Sequence, residues 1–194
     1  TNGVGTWTIE SGSATITNIN SPTTTVTGVA PGTSVTLRWT ITNGGVCAAT
    51  YDEITLTNYY QPSVSAAGPD QSNCNTGDFV LAANTPVHGT GEWSIVGAAN
   101  GAVIDDITSP TSAVSGLTAG SSVTLRWTIS NGVCTDSYDE VTLTNVLTPA
   151  VADAHAGSPV TEQCNSATFV MAANAATNGV GTWTIESGSA TITN

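Results

Sequence analysis

The side chains able to do acid–base or nucleophilic chemistry are few in this 194-residue chain. His88 and His155 are the only histidines, and neither recurs at the matching place of the internal repeat described below. The adjacent carboxylates Asp105 and Asp106 could form an acid–base pair, yet they also lack a repeated counterpart. The chain has no phosphate-binding loop, GxSxG motif or HExxH motif. Because no nucleophile, base and orienting group are identified together, we predict no enzyme activity.

Charged side chains of both signs recur together at one place in each unit of the repeat. The only basic residues are Arg38 and Arg126, and each is followed on the next predicted strand by the sequence Tyr-Asp-Glu. We predict a cross-strand ion pair in each place, which as an exposed pair contributes ~0–1 kcal/mol and helps to fix the strand register. The predicted pairs are Arg38 with Asp52 or Glu53, and Arg126 with Asp139 or Glu140.

The same acidic residues allow a second interpretation, a Ca²⁺ site. Calcium needs several oxygen ligands that converge on one point, and Asp70 near a linker could supply one more. A guanidinium so close to the carboxylates favours the ion pair, and Pro159 in the next linker is followed by Val160 rather than by an acidic residue. We therefore expect no cofactor, with calcium as the alternative.

Four cysteines are the remaining reactive side chains, two for each unit. The 60-residue spacing of Cys74 and Cys134, without a CxxC motif or a companion histidine, does not fit ordinary zinc sites. Paired cysteines in a small β-rich unit indicate disulfides and an oxidising compartment. We expect a Cys74–Cys134 bond, worth roughly 4 kcal/mol by loop closure, with Cys47 and Cys164 paired outside this segment. If the two cysteines lie at opposite ends of the fold, a bond between neighbouring units is the alternative.

An internal repeat organises these residues along the chain. Residues 1–18 and residues 177–194 carry the same eighteen letters, TNGVGTWTIESGSATITN. Between them, SPTTTVTG at Ser21 reappears in diverged form as SPTSAVSG at Ser109, a shift of 88 residues. The chain looks like a piece of a longer array, whose units are joined by short, semi-rigid linkers that contain proline. The predicted units are the C-terminal part of a repeat at 1–63, a complete repeat at 64–149, and the N-terminal half of a further repeat at 150–194.

Apolar and polar residues alternate within each unit at the period of a half-buried strand. In SSVTLRWTIS, every second residue from Val123 to Ile129 is apolar. Asn131 and Gly132 follow, and they predict a hairpin in which both turn residues adopt positive φ. No segment has a helical period, and about seven strands fit into a unit of 88 residues. The sequence predicts an all-β fold of tandem immunoglobulin-like (PKD-like) β-sandwich repeats in an elongated array.

Tryptophan recurs at two places in the unit, in phase with valine, leucine and isoleucine. This phase predicts that the indoles are buried, where each contributes several kcal/mol to a small core. A platform on which sugars stack is the less favoured interpretation, because it requires exposed rings. The predicted core tryptophans are Trp7, Trp39, Trp93, Trp127 and Trp183.

The overall charge excludes two classes of partner. Two Lys+Arg against 14 Asp+Glu give a formal net charge of −12. A nucleic-acid binder needs a basic surface to neutralise phosphates, and an anionic membrane surface would repel this chain. No stretch approaches the ~20 apolar residues of a membrane-spanning helix. We expect neither nucleic acid binding nor membrane insertion.

The repeated strings resemble the tandem PKD-like/immunoglobulin-like repeats of very large Bacteroidetes cell-surface adhesins. They are AGPDQSNC, FVLAANTPVHGTGEWSI and ITSPTSAVSGLTAGSSVTLRWTISNGVCTDSYDEVTLTN, and the resemblance covers the full chain. It is closest to the SprB group of gliding-motility adhesins. The resemblance implies export by the type IX system and extracellular display as long filaments that grip the substratum and move along the cell. It assigns the repeats to the filament shaft and transfers no ligand-binding residue.

Two further functions remain as alternatives. A carbohydrate-binding module of a secreted multidomain protein needs a solvent-facing aromatic pair, for which Tyr59 and Tyr60 are the only candidates. An ice- or mineral-binding face could use the Thr-x-Thr runs, although threonines of ordinary strands occupy the same outward phase. For the favoured adhesin shaft, we expect neighbouring repeats of the same chain as partners, with surface polysaccharide or substratum bound through other regions.

Overall fold

The computed structural model describes residues 3–45 and 47–193, and this part of the chain contains strands and no helix. It therefore has no helix that could span a membrane. The first unit contains β1 (Val4–Ser11), β2 (Thr15–Ile16), β3 (Val26–Thr27), β4 (Thr33–Thr42) and β5 (Thr50–Asn58). The complete unit contains β6 (Gln71–Cys74), β7 (Phe79–Val80), β8 (Thr90–Val96), β9 (Val103–Ile104), β10 (Ala113–Ser115), β11 (Ser121–Ser130) and β12 (Ser137–Val146).

The complete unit is a sandwich of two sheets with immunoglobulin-like topology. One sheet has the order β6-β12-β11-β8, and the other has the order β7-β10-β9. All pairings are antiparallel except that of the first and last strands of the unit, β6 and β12, which run parallel. The division of seven strands between two layers is that of an immunoglobulin-type domain. The predicted all-β fold of tandem immunoglobulin-like units is confirmed.

Strand β11 lies at the centre of the core and shows how the alternation produces it. Its apolar residues from Val123 to Ile129 are at most 2% exposed, while the residues between them are only half-buried. Each fully buried aliphatic or aromatic side chain contributes about 1.5–3 kcal/mol. The other large buried residues of the core come from the other sheet, the partner strands and the loops beside them: Phe79, Leu81, Trp93, Val114, Leu117, Val141 and Leu143.

A glycine makes room for the tryptophan pair of the core. Trp93 and Trp127 lie side by side on β8 and β11, with ring centroids 5.1 Å apart and planes tilted by 44°. The Trp127 ring lies directly over Gly91, where a Cβ would overlap the ring. Gly5 and Trp39 repeat this contact in the first unit. The glycine of the Gly-x-Trp motif therefore makes room for the tryptophan of the neighbouring strand, not for the tryptophan of its own motif.

The two partial units bury their tryptophans less completely than the sequence predicted. The first unit has the sheet β1-β4-β5 and the pair β2-β3, which leaves Trp7 and Trp39 half-buried. Residues 150–193 contain no strand, and Trp183 is 41% exposed. The prediction that Trp183 is a core residue is wrong for this structure, because the 194-residue sequence holds no counterpart of β11 for the third unit.

The hairpin between β11 and β12 differs from the predicted two-residue turn. Ile129 pairs with Ser137, so the connection is longer. A turn over Asn131 to Cys134 is closed by the amide of Cys134 donating to the carbonyl of Asn131 at 3.2 Å. Of its residues only Gly132 has a positive φ, at 60°. This wider turn projects beyond the sheet, at the end of the unit that faces the preceding one.

The accessible surface is larger than that of a compact monomer, and residues 150–193, nearly all of them exposed, contribute to it. The described residues expose 12707 Å², whereas a compact monomer of this mass exposes about 8,500 Å². Strand pairings among these residues are confined to 4–58 and 71–146, and none joins the two. Within the described part of the chain, the units therefore meet through their linkers and end loops.

Candidate functional site

The predicted ion pairs lie on adjacent strands, with glutamate as the partner in both units. Arg126 is in register with Glu140 and donates from Nε and Nη2 to its Oε1 at 3.0 and 2.6 Å. The guanidinium carbon also lies 4.3 Å from the centroid of the Tyr138 ring. Asp139 points elsewhere and accepts the amide of Ala67 at 2.8 Å. The glutamate of each Asp-Glu pair thus binds the arginine. In the complete unit, the aspartate instead binds the backbone at Ala67, where the chain enters the unit.

The first unit contains the same arrangement with one additional carboxylate. Arg38 donates to Glu53 Oε1 at 2.9 and 2.6 Å and lies 3.0 Å from Glu10. The hydrogen bond with Glu53 is the main reason that the pKa of Arg38 is raised. Asp52 accepts the amide of Glu53.

The structure gives no support to the calcium alternative. Asp70, the additional candidate ligand, accepts the amide of Thr142 at 2.7 Å instead. Across residues 3–45 and 47–193, no three His, Cys, Asp or Glu side chains converge to form a metal site. The carboxylates considered as calcium ligands are thus occupied by arginine or by backbone amides.

The other titratable candidates have local structural contacts. Asp106 Oδ1 accepts the amide and the hydroxyl of Thr108 at 2.8 and 2.7 Å, and the hydroxyl is the first cause of its lowered pKa. The amide of His155 donates to Asp153 within a turn. His88 stacks on Tyr60, with centroids 4.1 Å apart and planes at 15°. These residues lie in separate loops and form no catalytic group.

The joint between the first and the complete unit brings together residues that the sequence had not connected. We define the joint by Tyr59 and Tyr60 at the end of the first unit and by His88, Asn131, Gly132 and Cys134 of the complete unit. Asn131 Nδ2 and the Cys134 thiol both donate to the carbonyl of Tyr60, at 2.9 and 3.3 Å. The Tyr59 ring lies against Gly132, and a Cβ added to Gly132 would lie 2.6 Å from ring atoms of Tyr59. The complete unit therefore contacts both tyrosines at the end of the first unit.

Hydrogen bonds extend the joint into the linker itself. The amide of Ser63 donates to the carbonyl of His88 at 3.0 Å, and Ser63 Oγ accepts the amides of Val87 and His88 at 2.9 Å. The Asn84 side chain holds the next part of the linker, because it accepts the amide of Ala66 and donates to the carbonyl of Val64. A backbone held at this many points is ordered rather than free. The linker behaves as a fixed part of the complete unit.

The cysteines do not form the expected pair. All four are free, and Cys74 and Cys134 lie at opposite ends of the four-stranded sheet. Cys74 is level with Val146, whereas Cys134 precedes Ser137, and β12 between those two residues spans about 30 Å. A disulfide needs Cα atoms within about 7 Å. The structure therefore contradicts the predicted Cys74–Cys134 bond, and the cause is the topology that the sequence argument had named as its alternative.

An open cleft of about 570 Å³ contains the exposed tryptophan. Gly179, Gly181 and Trp183 line it. In the complete unit the matching glycines, Gly89 and Gly91, lie against side chains of β11. The cleft therefore has the position that a β11-type strand occupies in a finished sandwich, and it does not indicate a sugar-binding groove.

Comparisons with known proteins concern the fold. No protein-family profile and no curated protein sequence matches the chain. Among solved structures it is similar to extracellular domains 3–5 of Drosophila OTK, with a TM-score of 0.43 and 12% identity over 74% of this chain and 51% of that one. It is also similar to an I-band fragment from titin, with a TM-score of 0.44 and 11% identity over 76% and 56%. The chain thus spans about half the length of these structures.

Sequence reasoning missed the joint, although a signal was present. Tyr59 and Tyr60 had been considered only as a sugar-binding pair, and they are 40% and 44% exposed. Their position directly after a strand and before Pro62 marks them as linker residues. Large aromatic rings at such a place are available to a neighbouring unit. The matching residues of the next linker, Val146 and Leu147, are also large and apolar.

Proposed function

We propose that this chain is a structural shaft or spacer segment of a long, filamentous, extracellular cell-surface adhesin. Its role is to extend and hold the array, and so to support surface adhesion and gliding motility of the kind suggested by the sequence resemblance. The observation that carries the proposal is the built joint. There, side chains of the complete unit bind the carbonyl of Tyr60, and the rings of both tyrosines pack on that unit.

The complete unit is also arranged to resist tension along the chain. Its first and last strands, β6 and β12, are neighbours and run parallel, with four register pairs from Leu143–Gln71 to Val146–Cys74. Pulling the two ends of the unit apart loads these pairs together in shear rather than one at a time. A spacer in a load-bearing filament needs this property, because each unit of a linear array transmits the full force to its neighbours.

The recurring residues support a passive role. In the complete unit the tryptophans are buried, the arginine is paired with glutamate, and the acidic turn residue is occupied by backbone and hydroxyl donors. Binding of polysaccharide or substratum therefore belongs, in this proposal, to other regions of the parent protein. The carbohydrate-binding alternative loses its candidate pair to the joint, because Tyr60 stacks on His88 and Tyr59 covers Gly132.

The joint can be tested by measuring whether the first two units tumble together. We expect ¹⁵N relaxation of the full chain to give one correlation time for 4–58 and 71–146, and small-angle scattering to give an extended particle. Asn131→Ala combined with His88→Ala should separate the two correlation times. Asn43→Ala is the matched control, because Asn43 and Gly44 occupy the same turn of the first unit and a Cβ added at Gly44 would meet no atom of the described residues within 4 Å. Independent tumbling of the unaltered units would contradict a shaft.

A further inference from the structure

The two cysteines of a unit lie at its two ends, and this placement has a consequence for the joints. Cys74 ends β6 beside Val146, where the chain leaves for the following unit. Cys134 lies in the turn that contacts the preceding unit. Every joint of a continuous array thus receives one cysteine from each side: a Cys74-type residue from the unit before it and a Cys134-type residue from the unit after it.

The register of the strands indicates how close those two residues come. Tyr59 is the counterpart of Val146, because YDEITLTNYY and YDEVTLTNVL align. In the complete unit Cys74 is level with Val146, and the next amide, that of Asn75, donates to the carbonyl of Val146 at 2.7 Å. A Cys74-type residue in the unit before the joint therefore lies one strand spacing, about 4.8 Å, from Tyr59.

The second cysteine of the joint, Cys134, lies close to the same two tyrosines. The Cys134 sulfur is 3.3 Å from the carbonyl oxygen of Tyr60, and the Tyr59 ring covers Gly132, two residues before Cys134. Cys74 is exposed and Cys134 is partly exposed, so each thiol is accessible for exchange. The two cysteine sites thus lie beside the consecutive residues Tyr59 and Tyr60.

We propose that each joint of the array is closed by a disulfide between the Cys74-type cysteine of one unit and the Cys134-type cysteine of the next. This inference rests on the proposed function, since it requires consecutive units. The bond forms by exchange with a small-molecule disulfide such as oxidised glutathione. One cysteine thiolate attacks the oxidant and releases one glutathione thiolate, and the second cysteine thiolate then displaces the other glutathione. Two cysteine thiols are oxidised and the oxidant is reduced to two glutathione thiols, which take up the two protons that the cysteines lose.

The repeat itself supplies the test protein. Because 177–194 and 1–18 are identical, a copy of residues 150–176 placed ahead of Thr1 continues into the full chain without a change of sequence. This extension gives the first unit its own Cys74-type residue, the copy of Cys164. The extended chain is folded in a buffer of reduced and oxidised glutathione, free thiols are blocked, and the protein is unfolded and cut with trypsin.

The two arginines make the result easy to read. With no lysine in the chain, trypsin cuts only after Arg38 and Arg126. The copied cysteine lies in the first fragment, Cys47 and Cys74 lie in the second, and Cys134 and Cys164 lie in the third. We expect a disulfide between the first and third fragments with a free second fragment, and its loss in Cys134→Ser but not in the matched Cys47→Ser variant.

Three results would overturn the proposed disulfide. They are a bond from the first to the second fragment, a bond from the second to the third, or free thiols throughout. Small-angle scattering and ¹⁵N relaxation of the same reduced protein separate this failure from failure of the shaft. If the units still form one extended body without the bond, only the disulfide is wrong. If they tumble independently, the proposed shaft fails as well.

Discussion

The same eighteen residues occur twice in this chain and take two different structures. Near the N terminus they contain β1, which pairs with β4 at seven register positions. This pairing places the ring centroids of Trp7 and Trp39 5.0 Å apart. In 177–193 they contain no strand, and Trp183 is 41% exposed. Because the letters are identical, the difference comes from the surroundings. Strand β1 has β4 beside it, whereas the sequence holds no equivalent of β4 for the second copy.

The short-range features, in contrast, are the same in both copies. Thr8 donates its hydroxyl to Glu10 at 2.7 Å, and Thr184 donates to Glu186 at 2.7 Å. The glycine that follows, Gly12 in the first copy, has a φ of 83° in each. Local contacts and turn conformations are thus determined by the segment itself. Strand formation is determined by the partner, as expected when β preference is mainly a matter of packing.

The largest expected effect comes from supplying the missing partner. A copy of residues 19–63 placed after Asn194 gives the third unit a β4-type strand. We expect the amides of 182–186 to become protected from hydrogen exchange by on the order of 100-fold or more, since burying an indole and a strand is worth about 3 kcal/mol. Trp183 fluorescence should shift to shorter wavelength. Unchanged exchange in 182–186 would show that the partner strand is not the missing factor.

The second effect tests the contact between the glycine and the tryptophan of the adjacent strand. Gly5→Ala places a Cβ in direct overlap with the Trp39 ring, whereas at Gly181 the nearest atom is the Cβ of Ala176 at 3.7 Å. We expect Gly5→Ala to lower the free energy of unfolding of the first unit by about 3 kcal/mol, at the upper end for overpacking. Gly181→Ala, the same substitution in the same letters, should have almost no effect. Denaturant unfolding followed by tryptophan fluorescence measures both, and equal effects would refute the proposed cause.

The sequence predicted the features that depend on local residues, and it failed for those that depend on a partner strand or a neighbouring unit. The alternation from Val123 to Ile129 predicted the buried face of β11, because a period of two is a local property. Trp183 was predicted to be buried from its phase with the neighbouring apolar residues, and this prediction failed because burial also needs a second strand. The predicted pairing of Cys74 with Cys134 failed because it needs both cysteines at one end of the sheet, whereas the topology behind the alternative prediction places them at opposite ends. Contacts between units, such as those of Tyr60, depend on geometry that no single unit encodes.

A smaller effect concerns the carboxylate inside the repeated segment. Glu10 lies 3.0 Å from Arg38, and its copy, Glu186, has no such partner among the described residues. We expect Glu10→Gln to destabilise the first unit by about 0.5 kcal/mol, since both side chains are partly exposed. The loss should shrink at 1 M salt, where the Debye length is about 3 Å. Glu186→Gln is the control and should leave thermal unfolding unchanged at either salt concentration; a salt-independent loss for Glu10→Gln would indicate a cause other than charge.

The smallest effect involves the residue that ends the repeated segment. Asn18 has Asp106 as its counterpart in the complete unit: Asn18 Oδ1 accepts one amide, from Asn20, while Asp106 Oδ1 accepts an amide and a hydroxyl from Thr108. These donors favour the carboxylate and lower the pKa of Asp106, the hydroxyl first. A lowered folded-state pKa means that the charged form stabilises the fold above the unfolded pKa of 3.8, and that this contribution is lost as the pH falls through the folded value.

The complete unit should therefore lose stability on acidification below about pH 4. Asp106→Asn should reduce that loss. Asn18→Asp is the matched substitution, and it should introduce a weaker acid dependence in the first unit, because its turn supplies an amide without the hydroxyl. An NMR titration of the two carboxyl carbons reports both pKa values directly. If the carboxyl introduced by Asn18→Asp titrates as low as that of Asp106, the Thr108 hydroxyl is not the main cause of the shift.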